Sequence, residues 1–211
     1  MMAKFEVGRA ITFDFNLKEM SDIAWSDIFH RTQEGVFCWG HLPLTESGYA
    51  VLRDVGVDTD TIDRIMNNQG HGVLRFGRSA VHCSLLEAVA HGHDLTLKPI
   101  HLVIGHNFIF TMCDGHSDVI AEVCDSYEED FYQRAQSGGF LLFELIDSLI
   151  FDYRQTLGEL ALDVEVMQAR LIQNKDDQAI FNDFSILSAS LLQFRNAVAA
   201  ARESVDGLSN R

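Results

Sequence analysis

Four carboxylates recur at helical spacing just after Ser117. They are Asp118, Glu122, Asp125 and Glu129. Steps of four, three and four residues place them on one helix face, where like charges cost roughly a few tenths of a kcal/mol per pair. A bound cation would offset that repulsion, and hard divalent cations prefer carboxylate oxygens as ligands. The first three residues therefore form a predicted magnesium site, weak and hydrated, or an electrostatic attractor; a solvated helix face is the alternative.

A second candidate lies in the turn His91-Gly92-His93-Asp94, where two imidazoles and a carboxylate fall within one short segment. Nitrogen ligands suit zinc better than magnesium. A closed zinc site needs about four ligands, so His93 and Asp94 would be joined by others from elsewhere in the chain or from another subunit. The alternative is an exposed polar turn that binds no metal.

Covalent catalysis finds little support in the sequence. There is no glycine-rich phosphate loop, no G-x-S-x-G elbow and no H-E-x-x-H helix. Four scattered cysteines, with no C-x-x-C pair, indicate buried thiols in a reducing compartment. The remaining histidines occur singly, which is typical of ordinary strand or turn residues. We therefore expect no enzyme activity and no covalent cofactor.

The charge balance restricts the partners. The formal net charge of -15 argues against nucleic acid, because phosphate binding needs clustered Lys and Arg. The same charge disfavours an anionic membrane surface and is compatible with divalent cations as partners.

No segment of the sequence predicts secretion or a membrane span. The chain opens without an apolar leader, and its most apolar stretch, residues 140–151, is shorter than the roughly 20 residues that cross a bilayer. We therefore expect this chain to be cytoplasmic.

The elements that must position these residues follow from hydrophobic periodicity. Alternating or continuous apolar runs predict strands at residues 8–15, 36–42, 73–76, 80–89, 95–104 and 107–113. Helical spacing predicts two short helices in 46–68, separated at Gly56, and a helix through 117–135 with Ser117 as its cap. This order is typical of α/β proteins, and we expect a three-layer αβα sandwich with a mixed sheet.

The last third of the chain has two heptad-spaced helical segments. One seam runs from Leu142 to Leu171 and includes Leu157; the other runs from Phe184 to Val205, and residues 173–177 form a polar break between them. Such seams predict a long antiparallel helical hairpin. We accordingly divide the chain into a sheet domain, residues 1–138, and a hairpin packed on it, residues 139–211.

Three segments in this order resemble the cytoplasmic domain of CorA-type divalent-metal transporters. Cys38-Trp39-Gly40-His41-Leu42 is similar to a tryptophan-containing strand of the family's zinc-transporting, ZntB-like branch. Residues 100–111 resemble the family's apolar strand, turn and second strand, which an acidic helix follows. Residues 139–153 are similar to the Leu- and Asp-rich run, ending in Tyr, that opens a long helix in the family.

The resemblance implies a role in transport of magnesium, cobalt or zinc. The full-length protein would be a homopentamer embedded in the inner (plasma) membrane, with this part acting in assembly and in cation-dependent gating. Two departures stand out: Gln69-Gly70-His71-Gly72 replaces a turn that often carries Arg-Pro, and the sequence ends at Arg211 before any stalk helix, transmembrane segment or Gly-Met-Asn signature. The alternative is a soluble helical interaction module with no transport or metal role.

Overall fold

The computed structural model describes residues 10–67, 73–173 and 178–209. Within these ranges the strands are β1 (Ala10–Asp14), β2 (Glu19–Ile23), β3 (Phe37–Pro43), β4 (Leu74–Phe76), β5 (Val81–His91), β6 (Asp94–Ile104) and β7 (Phe108–Cys113). The helices there are α1 (Trp25–Gln33), α2 (Glu46–Asp54), α3 (Thr59–Met66), α4 (Asp118–Gln133), α5 (Gly139–Gln173) and α6 (Gln178–Ser209).

All the strands join one mixed sheet in the order β2-β1-β3-β7-β6-β5-β4. β3 and β7 pair in parallel, and the other neighbours pair antiparallel. The long β5–β6 hairpin closes at His91 and Asp94, where Gly92 adopts a φ of 59° that residues with a Cβ rarely tolerate. The predicted mixed sheet is confirmed.

Helices pack on both faces of the sheet. Alternate residues of each strand point to opposite faces, so each face has its own apolar core. Ile11 and Trp39 join the apolar core beneath α4, α5 and α6. Ala10 and Cys38, their neighbours in sequence, join a second core beneath α1, α2 and α3. The predicted three-layer αβα sandwich is therefore confirmed.

The two long helices run antiparallel, as predicted. The Tyr153 ring lies 5.6 Å from the Phe194 ring, and Arg170 donates to Asp183 at 2.8 Å. Later residues of α5 therefore contact earlier residues of α6. Of the polar break predicted at 173–177, residue 173 is the last residue of α5, and residues 174–177 lie outside the described residues. The division of the chain at residue 138 stays a prediction.

The predicted seam of α5 is partly wrong. Leu157 is 51% exposed. Thr156 occupies the inner face instead, because its hydroxyl donates to the Ala88 carbonyl of β5 at 2.8 Å. On α6, Phe184 is 53% exposed, and Ile180 is buried on the inner side. Each long helix therefore packs against the sheet as well as against the other helix. Its buried residues consequently differ from those of a strict heptad pattern.

Two elements were missed in the sequence. β2 is an edge strand whose residues Glu-Met-Ser-Asp-Ile are mostly polar, so it lacks the apolar alternation of a half-buried strand. α1 buries only Ile28 and Thr32, too few for a clear periodic signal. The two short helices predicted in 46–68 are confirmed as α2 and α3, whereas the turn at 69–72 lies outside the described ranges.

Candidate functional site

The N-terminus of α4 is held by two oxygen acceptors. Ser117 accepts a hydrogen bond from the Ile120 amide at 3.2 Å, which confirms the predicted cap. Glu87 of β5, only 1% exposed, accepts from the amides of Asp118 and Val119 at 2.6 and 3.2 Å. A buried carboxylate at this position is favoured by the partial positive charge of a helix N-terminus.

The four carboxylates predicted to share one face of α4 are all exposed. Asp118 lies 2.9 Å from the His116 imidazole, and Glu122 accepts from the Ser148 hydroxyl of α5 at 2.9 Å. Glu129 accepts from Gln133 at 2.7 Å. The face is therefore directed partly to solvent and partly, through Glu122, towards α5.

A cavity of about 310 Å³ lies between α4, α5 and the end of β5. Four carboxylate residues line it, and we call it the acidic groove: Asp118, Glu122, Asp152 and Glu159. Asp125 does not line the cavity, although it follows the same helical spacing. Two of the predicted ligands are thus brought together with two carboxylates that the sequence analysis did not select.

Asp152 is the residue most perturbed by this arrangement. One of its carboxylate oxygens accepts from the Ala88 amide at 3.2 Å, which favours the charged form. Burial, reinforced by the negative charges of Glu87, Asp118 and Glu122, nevertheless raises the pKa of Asp152 to about 6. The groove therefore holds a carboxylate whose negative charge is less favourable than it would be in solvent.

The negative surface continues beyond the groove. A smaller recess of about 110 Å³ is lined by Glu122, Glu144, Asp147 and Ser148. Burial, with Asp130 as the next contribution, raises the pKa of Glu144 as well. Glu122 belongs to both recesses, so it connects them into one acidic surface along the contact between α4 and α5.

His93 and Asp94 do not converge. The His93 ring nitrogen Nδ1 lies 3.2 Å from an Asp163 carboxylate oxygen of α5, an ion-pair distance without hydrogen-bond alignment. The His93 carbonyl accepts from the Ser190 hydroxyl of α6 at 2.9 Å. Asp94 is exposed and accepts from the Leu95 amide at 2.9 Å. The turn thus connects the β5–β6 hairpin to both long helices.

Among the described residues, no group of three or more His, Cys, Asp or Glu side chains is arranged to hold a metal ion directly. A cation in the acidic groove would therefore keep much of its water, as Mg²⁺ commonly does in proteins. The side-chain atoms in the groove that could bind a metal are oxygens, which suit a hard cation such as Mg²⁺ better than zinc.

Among the described residues, the core holds one contact between a thiol and an imidazole: Cys113 Sγ lies 4.0 Å from His41 Nε2, and burial raises the pKa of Cys113 to about 11. His82 and His101 contact each other through ring nitrogens at 3.1 Å, and burial lowers the pKa of each to about 4. Burial raises the pKa of Cys38 and Cys83 to about 12, so both thiols are protonated at neutral pH.

The fold is shared with solved metal-transporter structures. The soluble domain of CorA from Methanocaldococcus jannaschii superimposes with a TM-score of 0.69 at 14% identity, covering 97% of this chain and 79% of that one. The cytoplasmic domain of ZntB from Vibrio parahaemolyticus gives 0.63 at 14% identity, with coverages of 96% and 80%. The complete CorA magnesium transporter of M. jannaschii gives 0.72 at 13% identity; this chain is covered in full and spans 64% of that protein.

None of the helices in the described ranges combines the length and apolarity that a membrane crossing requires. No curated protein sequence matches the chain. The profile of the family described as CorA-like Mg²⁺ transporter protein, however, matches residues 34–211, which is most of the sequence. Together with the αβα fold and its long helical hairpin, this match shows that the chain belongs to the CorA-like Mg²⁺ transporter family.

Proposed function

We propose that this chain is the cytoplasmic regulatory part of a divalent-cation transporter and that cations bound in the acidic groove control its assembly. Family membership supports the transport role. The observation that supports the regulatory role is the grouping of four carboxylate residues around one cavity, where burial, and after it the neighbouring carboxylates, raise the pKa of Asp152. A divalent cation would remove this repulsion and so stabilise the form that binds it.

Magnesium is the cation that the groove fits best. Its lining offers carboxylate, amide and hydroxyl oxygens, and no imidazole or thiol is among the lining residues that the structure describes. Magnesium retains several waters and uses one or two carboxylates, which suits an open cavity without a closed ligand set. Zinc binding by His93 and Asp94 stays a prediction, and the pairing of His93 with Asp163 does not support it.

The proposed regulation acts between copies of the chain. In a homopentamer, which we propose for the full-length protein in the inner (plasma) membrane, exposed carboxylates would repel across subunit contacts. Bound cations would bridge them and favour one arrangement of the subunits over another. The exposed side chains of Asp118 and Glu122 are available for such bridging.

A second candidate function is supported by exposed apolar side chains on the helical hairpin. Ile172 is 78% exposed, Leu162 is 62% exposed and Phe143 is 61% exposed. These three side chains lie along α5, and exposed apolar side chains are candidates for contacts with other protein elements. An interaction module without a metal role would use the same surface and would assemble independently of cations.

Calorimetric titration with Mg²⁺ and with Zn²⁺ tests the proposal. We expect saturable, millimolar Mg²⁺ binding that the double variant Asp118→Asn/Glu122→Gln weakens strongly. Asp125→Asn is the matched control, because it removes one charge from the same helix but does not line the cavity. Equal loss in the control would assign binding to the whole helix face, and no saturable binding of Mg²⁺ would contradict the proposal.

Sedimentation velocity of the same proteins separates the two functions. If cations control assembly, added Mg²⁺ changes the sedimentation coefficient of the wild type and changes that of the double variant less. Association that is insensitive to Mg²⁺, but weakened by Phe143→Ser or Leu162→Ser, would favour the interaction module.

A further inference from the structure

A recess of about 550 Å³ lies on the other side of the sheet from the acidic groove, between the start of α3, strand β4 and the turn that follows it. Three arginines line it: Arg64, Arg75 and Arg78. We call it the arginine recess. Its basic lining contrasts with the composition of the chain, in which 31 acidic residues outnumber 16 Lys and Arg.

These arginines are exposed and available to a ligand. Within residues 10–67, 73–173 and 178–209, none of their side chains makes an ion pair or a hydrogen bond. Arg53 and Arg170, by contrast, pair with carboxylates in their own surroundings. An unpaired cluster of guanidinium groups is costly in mutual repulsion, and a bound anion would offset that cost.

Two carboxylates also line the recess, and one of them is already engaged. An Asp58 oxygen accepts from both the amide and the hydroxyl of Thr61 at 3.0 Å, as the N-cap of α3. Asp60 is exposed at the rim. Among the described residues that line the recess, three arginines and two aspartates give a net charge of +1. An incoming anion is not required to displace the cap.

We propose that the arginine recess binds a small phosphate-bearing molecule, with a diphosphate group as the best fit. Planar guanidinium groups bind phosphate oxygens in bidentate fashion, and several of them suit a diphosphate. The recess, with a volume of about 550 Å³, has room for such a group beside the exposed side chains of Arg75 and Arg78.

Calorimetric titration of the 211-residue chain with ADP and with pyrophosphate tests this assignment, in metal-free buffer of low ionic strength. We expect saturable binding of one molecule of ADP. Replacing Arg75 and Arg78 by Gln should weaken it by about tenfold per arginine, because each loses a charge-assisted hydrogen bond. Replacement by Lys should weaken it less, since the charge remains but the bidentate geometry is lost.

Arg195→Gln is the matched control, since Arg195 is exposed on α6 and does not line the recess. It should leave ADP binding unchanged, as should Asp118→Asn/Glu122→Gln, which separates this proposal from cation binding in the acidic groove. The arginine variants should lose affinity for ADP and for pyrophosphate to a similar extent, because both probes offer the same diphosphate group. Circular dichroism of each variant confirms folding.

Three results would overturn the assignment. One is the absence of saturable heat with both probes at millimolar concentration. Another is equal ADP affinity in the wild type and in Arg75→Gln/Arg78→Gln. The last is sedimentation of the chain with vesicles containing a phosphoinositide but no binding of ADP or pyrophosphate, which would identify a lipid headgroup as the ligand.

Discussion

Replacing Asp152 by Asn should stabilise the protein near neutral pH. Burial and three neighbouring carboxylates raise the pKa of Asp152 from 3.8 to about 6, so its ionisation is less favourable in the folded protein than in the unfolded chain. The contribution of this group to the free energy of unfolding is largest below pH 3.8, and it decreases as the pH rises from that value to about 6. Asn keeps the shape, carries no charge and can still accept from the Ala88 amide.

The size of the effect follows from the pKa change. A change of this size corresponds to about 3 kcal/mol at roughly 1.4 kcal/mol per pKa unit. Because Asp152 is only half-buried, solvent screening reduces the expected gain in unfolding free energy to about 1 kcal/mol.

Urea denaturation of wild type and Asp152→Asn, at neutral pH and at a pH below 4, measures this difference. The gain should be present at neutral pH and absent at the lower pH. Millimolar Mg²⁺ should stabilise the wild type more than the variant, because ligand binding to the folded state adds to stability. Asp125→Asn, exposed on α4, should show neither effect. A variant that is less stable at neutral pH, or a difference independent of pH, would refute the electrostatic argument.

Two further changes test the core. Burial lowers the pKa of His82 and His101 to about 4, below the usual 6.5, so stability from these groups is present above pH 6.5 and is lost as the pH falls towards 4. The double variant with Gln at both positions should flatten this part of the acid-unfolding curve, and an unchanged slope would contradict the assignment. Gly138→Ala should destabilise the protein by about 1–3 kcal/mol, because its Cβ would overlap a phenylalanine ring of β3. Gly158→Ala, with open space around the Cβ within α5, should stabilise it by about 0.5–1 kcal/mol in the same urea titration, and a loss there would be unexpected.

Local patterns in the sequence predict most of the elements and the layers. The apolar runs in 95–104 and 107–113 correspond to β6 and β7, and Ser117 caps α4 as its position before an amphipathic segment predicts. These features depend on side-chain periods and on capping chemistry within a few residues. Polar elements with few buried residues, such as β2, give no comparable signal.

The partners of the candidate residues depend on contacts between distant parts of the chain. Spacing within α4 groups Asp118 with Asp125, but packing against α5 separates them and joins Asp118 to Asp152. Likewise, His93 lies beside Asp163 and not with its neighbour Asp94 in a shared site. The helical period predicts which residues share a face. It does not predict which part of the chain packs against that face.

The sequence by itself determined the fold class, the hairpin and the family resemblance, because these rest on periodicity and on the order of short motifs. Only the tertiary structure decided which charged side chains lie close together. Glu87 and Asp152 are far apart in the chain, yet the packing of α5 on β5 brings them close enough to shift a pKa. The arginine recess arises in the same way, from residues on α3 and on the β4–β5 turn. Electrostatic coupling depends on distance and burial in the folded state, and neither is encoded in local spacing.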